Sequence, residues 1–133
     1  MKNKIYKTGV FTIVFISFFS FNCSKGGGDD FFIPIIGAAT WHNSADMTGE
    51  NTFFFLVDND STNTSTFTGN ENLVGGGQDH FTGSFTNHNI QFTYEPNSSD
   101  DKSGKTYSGT INDASTEMTL HGTGLPSLTL QKQ

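Results

Sequence analysis

From Ala38 onward, apolar and polar residues alternate with a period of two, and no stretch repeats apolar residues at the spacing of an amphipathic helix. In Phe81-Thr82-Gly83-Ser84-Phe85 the aromatics share one face, as do Ile90, Phe92 and Tyr94 around Gln91 and Thr93. Tyr107 and Ile111 alternate with Ser108 and Thr110, Met118 and Leu120 with Glu117 and Thr119, and Leu128 pairs with Leu130. Each run predicts a strand with one apolar and one polar face. The pattern places strands at about 38–45, 52–58, 64–69, 79–86, 88–95, 104–112, 115–121 and 126–131. Phe53-Phe54-Phe55-Leu56-Val57 is apolar on both sides, which predicts cover on its outer face, supplied by the apolar segment Phe31–Ile36. Pro34 keeps that segment out of a central strand.

A weak repeat runs through the strands. Phe67-Thr68-Gly69, Phe81-Thr82-Gly83 and Tyr107-Ser108-Gly109 share aromatic, hydroxyl and glycine, and the last two lead into turns at Asn87-His88-Asn89 and Asn112-Asp113. Short Asx-rich turns join antiparallel neighbours, and glycine inside a strand marks a bend or a close backbone approach. Gly75-Gly76-Gly77 and Asn97–Gly104 read as longer solvated loops. The fold class is therefore all-β: an antiparallel up-and-down meander of about eight short strands closing into a small β-barrel, which removes exposed edges, with a β-sandwich as the alternative.

With Trp41 at its opening and its run of aromatic-x-Gly strands, the segment 38–133 resembles a small lipocalin-like or calycin-like barrel. It departs from that pattern in length, in having Ala39-Thr40-Trp41 where Gly-x-Trp is usual, and in lacking a C-terminal helix. An eight-stranded barrel is just wide enough to be filled by side chains or to hold one small ligand. Trp41, Phe55, Phe67, Phe81, Phe85, Phe92, Tyr94 and Tyr107 are thus either lining for a small apolar ligand or lipid, or the core itself. Phe53, Ile111, Met118, Leu120 and Leu128 complete the inward set.

The first thirty residues carry a different signal. Lys2, Lys4 and Lys7 precede Val10–Phe21, twelve residues in which only Thr12, Ser17 and Ser20 are polar. A helix of that length spans roughly 18 Å, short of the roughly 30 Å hydrocarbon core, so the pattern predicts a signal peptide over 1–22. It ends in Ser20-Phe21-Asn22-Cys23, and Cys23 is the chain's one cysteine. The segment resembles a bacterial lipoprotein signal with a relaxed, spirochaete-type lipobox; Phe21 and Asn22 depart from the strict form. The resemblance implies acylation of Cys23 after cleavage before it, and with it an anchor in the cell envelope. The Ser24 that follows implies the outer membrane. Each buried methylene contributes roughly 0.8 kcal/mol, so two or three chains hold the protein on the bilayer. Residues 23–30, ending Gly26-Gly27-Gly28-Asp29-Asp30, read as the lipidated cysteine and a flexible tether, and 31–37 as an apolar lead-in to the 38–133 domain.

Charge narrows the partners. Loss of the signal leaves four lysines against thirteen acids, a formal charge of −9 for residues 23–133, and the chain has no arginine. That argues against nucleic acid as a partner. His42, His80, His88 and His121 are scattered without ligand spacing, which predicts surface histidines and no metal site. Asp58-Asn59-Asp60 begins like a calcium loop, but Thr62 and Asn63 stand where a ligand and the turn glycine belong; a hairpin turn explains it. Glu95, Asp100 and Asp101 read as a solvated loop. There is no nucleophile motif, no His-Glu-x-x-His and no cofactor fingerprint, so the chain reads as non-catalytic. Two functions follow from these residues: a barrel binding a small apolar ligand, or an interaction protein contacting a host or partner protein through the loops at 70–79 and 97–105.

Overall fold

The computed structural model describes residues 31–45 and 51–133. The signal peptide, Cys23 and the tether assigned from sequence lie outside the described residues. Eight strands follow one another: β1 (Trp41–Asn43), β2 (Thr52–Val57), β3 (Thr64–Asn72), β4 (Gln78–Thr86), β5 (Asn89–Tyr94), β6 (Thr106–Ile111), β7 (Glu117–Gly122) and β8 (Leu125–Lys132). Each pairs antiparallel with the next, and β1 closes on β8 through Trp41↔Lys132, His42↔Gln131 and Asn43↔Leu130. The result is a closed barrel in meander order, which rules out the sandwich.

The period-two pattern becomes the barrel wall. Phe53, Phe55, Phe67, Phe81, Phe85, Ile90, Phe92, Tyr94, Tyr107, Ile111, Met118, Leu120 and Leu130 point inward and are buried, while the threonines, serines and glutamine between them face out. Leu128 is half-buried.

The aromatic-x-Gly repeat has a packing meaning. The glycine two residues after each aromatic also faces inward, and the register sets it beside bulky residues on both neighbours: Phe55↔Gly69↔Phe81, Phe67↔Gly83↔Phe92 and Ile90↔Gly109↔Leu120. A β-carbon on Gly83 would lie 2.6 Å from Phe67 Cζ and 2.7 Å from Phe92 Cβ. Large and small residues thus interdigitate across strands, which is how a narrow barrel reaches close packing.

The two ends are closed by different chemistry. At one, the strap end, residues 31–37 cross the opening beneath the β2–β3, β4–β5 and β6–β7 turns. Ile36 is fully buried, its carbonyl accepts from Trp41 Nε1 at 3.0 Å, Ile35 N donates to Ser115 Oγ at 3.1 Å, and Lys132 Nζ donates to the Ile35 carbonyl at 2.6 Å. Phe32 stacks on His88 at 3.9 Å between ring centroids. The chain then turns up into β1 through Ala38, whose φ of 54° is a left-handed conformation that alanine seldom adopts. The other, the loop end, carries the β3–β4 turn, the β5–β6 loop and the tight β7–β8 turn.

Three sequence expectations are corrected. The first strand is short, because Gly37–Ala39 bend to bring Ile36 into the core rather than extending the ladder. The strap plugs an end instead of covering β2, so Phe54 and Leu56 remain 38% and 72% exposed on the outer wall. The region 70–79 is not a long loop: β3 and β4 continue as far as Asn72↔Gln78, leaving a turn at 73–77.

Candidate functional site

All eight residues proposed as cavity lining are buried, between 0% and 4% exposed. The structure brings them together, but against one another. Phe81 and Phe92 lie 4.4 Å apart between centroids, Phe55 contacts Phe67 and Phe81 at 5.4 Å, Phe92 contacts Tyr107 at 5.5 Å, and Trp41 meets Phe55 edge-on at 6.1 Å. These are the separations of favourable aromatic pairs. Phe85 sits at the strap-end side of this network beside its cross-strand partner Ile90.

At the loop end the interior turns polar. Glu71 and Asp79 are cross-strand partners on β3 and β4, both face inward, and they are only 3% and 2% exposed. Lys102, carried by the β5–β6 loop, places its Nζ 2.9 Å from Glu71 Oε2 and 3.4 Å from Asp79 Oδ2. Glu71 also accepts from Tyr94 Oη at 2.5 Å and from Asn51 Nδ2 at 2.6 Å. Asp79 accepts from Ser99 N at 2.7 Å and from the Ser99 hydroxyl. The Lys102 ammonium lies 5.7 Å from the centre of the Tyr94 ring. Among the described residues no buried side-chain nitrogen or oxygen lacks a partner. Such completeness is what makes a buried ionic cluster tolerable, since desolvated charges repay their cost only when paired and hydrogen-bonded.

The electrostatics follow from that geometry. Burial works to raise the Asp79 carboxyl, yet the hydrogen bonds from Ser99 and the Lys102 charge outweigh it and hold it below the usual carboxylate range. Burial, and next the Glu71 charge, push the Tyr94 phenol far above its ordinary value. Tyr107, whose hydroxyl donates to the Pro126 carbonyl at 2.8 Å, is pushed up to about 12 by burial and the charges of Glu71 and Asp101. The cluster is a latch: it ties the loop 95–105 across the barrel mouth by setting the Lys102 ammonium against the carboxylates of two paired strands.

Sequence reasoning placed Glu71 in the loop 70–79 and Asp79 where that loop meets the strand predicted at 79–86. A signal was present, because counting in twos from Phe67 and Gly69 reaches Glu71, and counting back from Phe81 reaches Asp79. Both acids therefore fall on the inward face.

The remaining candidates are dispersed. His88 pairs with Asp113 at 2.8 Å, His121 meets Ser127 at 3.0 Å, and His42 and His80 lie elsewhere on the wall. Among the described residues no three potential metal-ligating side chains converge. The Asp58–Asn63 segment forms a hydrogen-bonded turn in which Asn59 Oδ1 accepts from Ser61 N at 3.1 Å, the Asx geometry read from its sequence. On the outer wall a shallow groove of about 690 Å³ crosses β2, β3 and β4, with Phe54, Leu56, Thr68, Asn70, His80 and Glu95 among its lining.

No family model, curated protein or solved structure matches this chain, so the lipoprotein and lipocalin resemblances rest on the residues quoted for them.

Proposed function

We propose that this chain is a non-catalytic lipoprotein of the cell envelope, held at the outer membrane by acyl chains on Cys23, whose barrel is a rigid scaffold for contacting a host or partner protein. One observation carries the choice between the two functions read from sequence. The aromatic residues that would line a ligand cavity instead fill the interior, in mutual contact at 4.4–6.5 Å. A small apolar ligand inside would have to displace rings from a core built of interlocking aromatic and glycine positions. What the scaffold offers a partner is its outside: the groove over Phe54 and Leu56, and the loop end with its turn at 73–77 and its latched loop.

Titrating the native protein with an apolar naphthalene-sulfonate dye tests the scaffold reading. The expected result is no saturable binding; one-site saturation with the fold intact would favour a carrier of apolar molecules. Fractionating cells that express Cys23→Ser tests the anchor, since this variant is expected in the soluble fraction. Its retention with membranes would overturn acylation as the means of attachment.

A further inference from the structure

The strap is apolar on both of its faces, and the barrel covers only one. Ile36 is fully buried, Pro34 is buried, and Phe32 lies flat on His88. The alternate residues point the other way: Phe31 is 72% exposed, Ile35 is 63% exposed, and Ile33 between them is half-buried. The two hydrogen bonds at Ile35, one to Ser115 and one from Lys132, fix the strap's rotation, so this orientation is held on both sides. Consecutive residues of an extended segment project to opposite faces, and the outward set makes a stripe roughly 13 Å long. An exposed apolar stripe marks a surface that something covers.

The position of the stripe selects the occupant. Seven residues separate Cys23 from Phe31, and a glycine-rich segment of that length has a reach of roughly 13–16 Å. An acyl anchor at Cys23 therefore keeps the strap end within roughly two headgroup layers of the lipid, nearer to it than the loop end. We propose that Phe31, Ile33 and Ile35 bed into the interfacial layer of the bilayer in which Cys23 is anchored, so that the barrel stands on its strap end and presents its loop end away from the membrane. The inference rests on the reading of Cys23 as acylated and adds an orientation to it. Aromatic and aliphatic side chains at the headgroup boundary add to what the acyl chains supply. Among the described residues, the exposed turn acids Asp58, Asp60 and Asp113 share this end with a single lysine, Lys132, so contact is stronger on zwitterionic than on anionic lipid.

The experiment uses the mature acylated protein in vesicles of phosphatidylcholine and phosphatidylethanolamine, with and without a dibrominated phosphatidylcholine. Phe31→Trp is compared with Val74→Trp, which places the reporter at the loop end on a residue 58% exposed, and with the parent protein, whose Trp41 is fully buried. The expected result is a blue-shifted emission at position 31 that the brominated lipid quenches, with no quenching at position 74 or of Trp41. Adding anionic phosphatidylglycerol should reduce the quenching at position 31, and salt should restore it. Intact mass separates the two ways of failing. If no acyl chain is present, the anchor reading falls and this inference falls with it. If the chain is acylated and position 31 is unquenched, quenched no more than position 74, or shielded by a concentration-dependent dimer instead, the anchor stands and the inference is overturned.

Discussion

Replacing Gly83 by alanine adds one methyl group and puts the packed interior to a direct test. The added β-carbon would meet the Gln91 carbonyl oxygen, Phe67 Cζ at 2.6 Å and Phe92 Cβ at 2.7 Å, all inside the distance that real contacts keep. One of these neighbours is backbone in the β4–β5 ladder, so rotamer changes alone cannot relieve the crowding. Overpacking a well-filled core costs about 1–3 kcal/mol, and a backbone obstruction puts Gly83→Ala at the upper end, near 3 kcal/mol. For a domain of about 100 residues each kcal/mol lowers Tm by about 4–8 °C, which gives a fall of about 12–24 °C. Trp41 fluorescence reports the transition, because its indole is fully buried and hydrogen-bonded to the Ile36 carbonyl. Adding Phe67→Leu, which removes one of the obstructing rings, should recover part of the loss. Thr82→Ala, next in sequence but facing solvent, should stay within about 0.5 kcal/mol of the parent. In a hollow barrel the Gln91 carbonyl would still obstruct the new β-carbon but the Phe67 ring would not, so Phe67→Leu would recover none of the loss. An unchanged or raised Tm for Gly83→Ala, or no recovery on adding Phe67→Leu, would refute the packing argument.

The latch yields further predictions. Lys102→Met leaves Glu71 and Asp79 buried without their cation and should destabilise by about 3 kcal/mol, the low end for a broken buried pair because the lysine side chain is 17% exposed; urea unfolding checks it, and a loss under 1 kcal/mol would demote the cluster to a surface contact. Asp79 is held below its unfolded value of 3.8, so its contribution is complete above about pH 4 and is lost as pH falls toward the lower folded value. The urea midpoint should drop through that window less steeply in Asp79→Asn than in the parent. Tyr94 and Tyr107 are the two tyrosines of residues 23–133, and both are raised in the folded state. Stability from that source is complete below pH 10 and is lost as pH climbs toward about 12, so tyrosinate absorbance should rise together with alkaline unfolding; ionisation near pH 10 with the fold intact would contradict their burial.

The fold was legible because its signal is local. Period-two alternation and short Asx turns suffice to order eight neighbouring strands, and Phe81–Phe85 or Ile90–Tyr94 show their inward faces without any knowledge of partners. The aromatic-x-Gly repeat was visible, whereas its meaning was not, because the complement of Gly83 is Phe67 on one side and Phe92 on the other, a matter of register. Glu71 and Asp79 were hidden for a related reason. Acidic residues next to three glycines look solvated, and what permits their burial is a lysine 23 positions beyond Asp79 that folds back over the mouth. The strap was legible as apolar, but its use as an end plug depends on one bend at Gly37–Ala39 that its composition does not announce.

The central claim is that the barrel is a filled scaffold on a lipid anchor. Native mass spectrometry of the protein extracted from membranes tests both halves in one spectrum. The account predicts a mass equal to residues 23–133 plus acyl chains on Cys23, with no further species retained when the fold is intact. A stoichiometric apolar molecule released only on unfolding would contradict the filled interior, and an unmodified chain would contradict the anchor.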